Sequence, residues 1–67
     1  MNVGDVVTVD QAGEYFTGKV DFMDDNGSFG IKDVLAVYAD GTTKQFNSTP
    51  GFIFDSKEVK ITTREGE

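Results

Sequence analysis

The stretch Asp24-Asp25-Asn26-Gly27 holds the side chains best suited to chemistry, because carboxylate and amide oxygens in a glycine-containing turn are the ligands of a hard cation. The EF-hand spacing is not met: with Gly27 at the sixth loop position, the first ligand position falls on Phe22. An Asp/Asn/Gly hairpin turn explains the same residues without a metal, so neither a metal site nor a cofactor is expected. Asp21 and Asp24 are a possible carboxylate pair for acid-base work, but no nucleophile or pocket accompanies them. The sequence has no His and no Cys. That excludes the usual zinc sites, haem and iron-sulfur ligation, disulfides, and Ser-His-Asp or Cys-His catalysis. No enzymatic activity is expected.

Six Phe and two Tyr form the other notable set. Phe16, Phe22 and Phe29 fall at inward strand positions and read as core. Phe46, Phe52 and Phe54 flank a turn-rich Pro50-Gly51 connection, and two uses fit them equally: completion of the core, or a seam between subunits where an edge strand pairs with another chain.

The elements that position these residues are strands. Turn residues recur at Gly4-Asp5, Asp10 to Gly13, Asp24 to Gly27, Asp40-Gly41, Ser48 to Gly51 and Asp55 to Lys57. Between them lie short runs of Val, Ile, Phe, Tyr and Thr. Strands are expected at Val6 to Asp10, Tyr15 to Met23, Ser28 to Ala39 and Thr42 to Phe46 or Asn47. A fifth runs from Phe52 to Phe54 and resumes at Val59 to Ile61 after one turn. Gly18 inside the second strand marks a sharp bend. The third strand is apolar on both faces and broken by one charge, which predicts a bend or bulge near Lys32-Asp33. Asp40-Gly41 predicts a two-residue type I′ turn. No helix is expected, and residues Arg64 to Glu67 read as a frayed tail.

The chain of 67 residues reads as a single domain over 1–67. A domain of this size buries about 60% of its unfolded surface, which leaves little room for an internal cavity. Twelve Asp and Glu against six Lys and Arg give a net charge of −6, the wrong sign for a monomer that grips phosphate backbones. No secretory signal pattern follows Met1, and the longest uncharged apolar run, Val34 to Ala39, is far short of the roughly 20 residues that span a bilayer. A cytoplasmic location without membrane association is the expectation.

From Gly18 to Ile61 the chain resembles the Sm-like (LSm) RNA-binding family. The residues that carry the resemblance are Gly18, Val20, Asp24, Ile31, Asp33 and Val34 in the family's first motif, and Ile53-Phe54-Asp55-Ser56-Lys57-Glu58-Val59 followed by Ile61 in its second. The family's Arg-Gly is replaced by Asp55-Ser56, and its amino-terminal helix has no counterpart. The Val-Gly-Asp-x-Val opening is shared with other SH3-like barrels of the Tudor, KOW and chromo-like kinds.

The resemblance implies an all-β fold, a small, strongly bent five-stranded SH3-like or Sm-like barrel. It also implies self-association into a homo-oligomeric ring of about five to seven subunits. Single-stranded RNA or DNA would bind at the pore loops through Asp24, Asn26, Ser28, an exposed Phe29 and Lys57, with Phe52 and Phe54 at the subunit interface. Lys19, Lys32, Lys57 and Lys60 would then have to offset the acidic background. The alternative is an adaptor ring that docks proteins and binds no nucleic acid; an acidic decoy of a nucleic-acid backbone is a lesser third reading. Convergence of those four lysines on one face would favour nucleic acid, and Asp24, Asp25 and Asp55 gathered without them would favour the adaptor.

Overall fold

A chain whose apolar residues alternate in short runs buries them by pleating, and this one forms six antiparallel strands and no helix among the residues described. The computed structural model describes residues 1–49 and 51–64. Pro50 of the expected turn and residues 65–67 of the expected tail lie outside them. The strands are β1 (Val6–Gln11), β2 (Glu14–Met23), β3 (Ser28–Val37), β4 (Thr43–Phe46), β5 (Phe52–Asp55) and β6 (Lys60–Arg64). They form one sheet in the order β4-β3-β2-β1-β6, with β5 paired to β3.

The expected fifth strand is two elements with different partners. Residues 52–55 pair with the start of β3, and residues 60–64 pair with β1. Arg64, placed in the frayed tail by sequence, is the register partner of Val6. The sheet is strongly bent but its ladder is not closed, since among the described residues β4, β5 and β6 each pair with a single strand.

The bend lies where Gly18 and Asp33 predicted it. Between the pairs Thr17↔Leu35 and Lys19↔Lys32, β2 advances two residues while β3 advances three, so β3 carries a bulge opposite Gly18. Asp33 takes up the extra residue with φ +52°, a left-handed conformation uncommon for a non-glycine residue. The bulge switches the buried phase of β3 from Phe29 and Ile31 to Val34 and Ala36, and leaves Leu35 exposed. Gly18 is required by close approach: a Cβ there would lie 2.7 Å from the Lys32 carbonyl oxygen and 3.1 Å from Val34 Cγ2.

A second register shift falls between Val20↔Ile31 and Phe22↔Gly30, with the extra residue on β2. It corrects the reading of Phe22 as core. Phe22 is half-buried, and its ring lies where a side chain on Gly30 would stand, on the face opposite Phe29 and Ile31.

Val7 and Val9 from β1, with Phe16 and Val20 from β2, complete the buried set. A fully buried side chain of this size contributes about 1.5 to 3 kcal/mol. Phe52 and Phe54 close over them from β5, their ring centroids 5.1 and 5.6 Å from that of Phe16. Because β2 and β5 are not neighbours in the sheet, these contacts cross the concave face.

Two hairpins share one design. Tyr38 N–H donates to the Thr42 carbonyl (2.8 Å), Gly41 N–H donates to the Tyr38 carbonyl (2.9 Å), and Gly41 has φ +88°. Asp24 and Ser28 repeat the pattern, with Gly27 at φ +97°. This is a type I turn followed by a glycine bulge, which corrects the type I′ expectation at Asp40-Gly41. The paired strands stop at Val37 and Thr43, and Asp40 does not have the positive φ that type I′ needs. The two-residue turn with both φ positive is Ala12-Gly13, at +53° and +80°.

Two outcomes follow from this packing. Gly18→Val should lower stability by about 1 to 3 kcal/mol through overpacking against β3, read as a drop in urea midpoint without a change in slope. In the 38–42 turn, the Thr42 hydroxyl (2.6 Å) and backbone N–H (3.0 Å) both donate to Asp40 Oδ1 and hold its carboxyl below the ordinary aspartate range. A depressed folded-state value means that this contribution is present above the ordinary aspartate value and is lost as pH falls through the folded one. The difference in melting temperature between the native chain and Asp40→Ala should therefore be present at neutral pH and shrink in acid.

Candidate functional site

The β2–β3 turn and the end of β5 meet because β5 pairs with the first residues of β3. Ser28 is the register partner of Asp55, so the chain leaving β5 passes beside the turn that enters β3. The Gly27 carbonyl accepts a hydrogen bond from Ser56 N–H at 2.9 Å. A side chain at Gly27 would stand 3.2 Å from Ser56 Oγ and 3.6 Å from Lys57 Cε. The two segments are thus locked by backbone contact, and both tips project from one end of the sheet.

Each tip holds its own shape with a side-chain oxygen. Asn26 Oδ1 accepts from Ser28 N–H (3.3 Å), and Asp55 Oδ1 accepts from Lys57 N–H (2.9 Å). The Asp55 carbonyl also accepts from Glu58 N–H at 3.0 Å. The Asp55 carboxylate therefore shapes the turn, as an Asx-type acceptor for the residue two positions on.

Of the residues expected to touch nucleic acid, Asp24, Asn26, Ser28 and Lys57 are brought together here. Phe29 is not: it is 1% exposed and its ring packs 5.8 Å from that of Phe54, which corrects the expectation of an exposed stacking aromatic. On this strand Phe29 shares the inward phase of Ile31. Phe52 and Phe54 face the core and remain half-buried, which accords with core completion. The residue that β5 turns outward is Ile53, 62% exposed. The alternation Phe52-Ile53-Phe54 carried that signal, since inward phenylalanines put Ile53 on the other face.

The charges around the two tips are Asp24, Asp25, Asp55 and Glu58 against Lys57. The other lysines are elsewhere. Lys19 and Lys32 are opposed across β2 and β3, where Lys32 Nζ is 3.9 Å from Asp21 Oδ1. Lys60 is opposed to Asp10, and Lys44 Nζ lies 5.0 Å from the centroid of the Phe46 ring. The four lysines considered for nucleic-acid binding are divided among three places. Among the described residues there is no pocket, and no three Asp or Glu are grouped to hold a metal ion.

Compared with known proteins, the chain matches no family model and no curated sequence.

The structural role of Asp55 is open to direct measurement. Asp55→Ala removes the acceptor of Lys57 N–H and should lower stability by about 1 kcal/mol, while Asp55→Asn, which keeps an acceptor oxygen, should lower it less. Chemical denaturation of the three proteins checks the order.

Proposed function

We propose that this chain is a non-catalytic docking module of the Sm-like or SH3-like kind that associates with itself through its free strand edges and presents an acidic rim to protein partners. The observation that carries the reading is the composition of the two locked tips. The two segments carry three aspartates and a glutamate against one lysine, the aromatic that would stack on a base is buried, and the remaining lysines lie in other parts of the sheet. An excess of carboxylates repels phosphates, and an RNA site without a cationic groove or a stacking platform lacks both contributions that hold single strands.

Among the described residues, β4, β5 and β6 each have one unpaired edge, which supports the self-association. An exposed edge is a template for pairing, and a closed ring satisfies every such edge at once. The bend at Gly18 and Asp33 and the single turn between β5 and β6 support the Sm-like or SH3-like architecture.

A second reading, single-stranded RNA or DNA held at the same tips, is favoured by the joint placement of Asn26, Ser28 and Lys57. A titration at low salt separates the two. The expected result is no saturable binding of single-stranded RNA or DNA at about 50 mM salt, together with light scattering above the monomer mass at tens of micromolar. Saturable binding that Asn26→Ala or Lys57→Glu weakens would replace the adaptor reading with the nucleic-acid one, and a monomer would overturn the assembly.

A further inference from the structure

The chain's asparagines are Asn2, Asn26 and Asn47, followed by Val3, Gly27 and Ser48. An asparagine side chain can be attacked by the backbone nitrogen of the next residue, and a side chain on that residue obstructs the approach. Only Asn26 has a glycine there. It is exposed, at the tip of the β2–β3 turn.

The turn leaves the reacting atoms accessible. Gly27 N–H is held by the Asp24 carbonyl at 3.3 Å, beyond the usual range for such a bond, so the nucleophilic nitrogen is weakly engaged. Ser28 N–H approaches Asn26 Oδ1 at the same 3.3 Å, so the side-chain amide is held no more firmly than Gly27 N–H and is free to turn toward it. Among the described residues, no hydrogen bond engages Asn26 Nδ2, the leaving nitrogen.

We infer that Asn26 is a site of spontaneous covalent modification, in which the side-chain amide cyclises onto Gly27 nitrogen and hydrolyses to aspartate and isoaspartate. The bond between Gly27 N and Asn26 Cγ forms as the bond between Cγ and Nδ2 breaks. Ammonia leaves, carrying the proton from Gly27 N. Water then opens the cyclic imide. Addition at Cγ gives aspartate, and addition at the main-chain carbonyl carbon gives isoaspartate, with one extra methylene in the backbone. No oxidant or cofactor enters.

Asp40-Gly41 provides the comparison within the molecule, because it occupies the same place in the same kind of turn. There Gly41 N–H is bonded at 2.9 Å and Asp40 Oδ1 accepts both donors of Thr42, while an ionised carboxylate is a poor electrophile. Equal sequence exposure thus gives unequal reactivity. At Asn26 the product adds a negative charge beside Asp24, Asp25 and Asp55, and isoaspartate displaces the Gly27 carbonyl from Ser56 N–H. The inference does not depend on what the tips bind.

The test is incubation of the folded chain in warm, mildly alkaline buffer, followed by peptide mass spectrometry and an isoaspartate assay. The expected result is conversion at residue 26, isoaspartate exceeding aspartate, and later elution from an anion exchanger. Asn26→Gln, whose longer side chain closes rings poorly, should lose the conversion. An Asn26 amide still intact in the folded chain after the urea-unfolded chain has converted would overturn the inference. So would conversion at Asp40 or Asn47 at the same rate as at Asn26.

Discussion

The near-contact between Gly18 and the backbone of β3 is the constraint on which the rest of the sheet depends. With the Lys32 carbonyl 2.7 Å from where a Cβ would stand, the two long strands cross more closely than any other residue permits. That approach accommodates the bulge at Asp33, and the bulge turns the second half of β3 out of line with the first. One strand thereby offers two differently aimed edges, the first to β5 and the second to β4. The phenylalanines of β5 reach Phe16 across the concave face for the same reason. A straight β3 would carry one long partner strand and no enclosed core.

Much of this was legible in the residues. Regular turn signals placed the first four strands within a few positions but read the last two as one, and a glycine and a charge inside otherwise apolar runs located the bend. The phase of side chains beyond each bulge was not legible. Period-two reading carried Phe22 into the core and left the face of Leu35 undecided, because a single inserted residue reverses every later side chain and nothing local marks where the insertion falls. Turn type failed for a related reason. Asp40-Gly41 favours type I′ when two residues join the strands, but pairing that stops at Val37 leaves a longer loop, in which glycine alone adopts the left-handed conformation.

The candidate site was half legible. The motif resemblance placed the 24–28 and 55–57 segments in one site, and the Ser28↔Asp55 register joins them. The resemblance did not explain why an aspartate stands where a cation was expected, since the Asp55 carboxylate serves the turn's own backbone. Residues chosen for a ligand and residues chosen for a turn are the same types, so sequence alone does not separate them.

The pairing of β1 with β6 links Val6 to Arg64, so the first and last strands lie side by side. Such a ladder forms only after the intervening chain has been drawn into place, and its loop-closure entropy is lost before its contacts form. Folding should therefore run on the slow side for so short a chain, in milliseconds to seconds rather than microseconds. In that interval β1 has its hairpin partner β2 on one edge and nothing on the other. A short linker from residue 64 back to residue 6 would bridge these two adjacent strands, and new ends could open at the exposed 39–42 segment, so the order in which strands are made is separable from the order in which they pair.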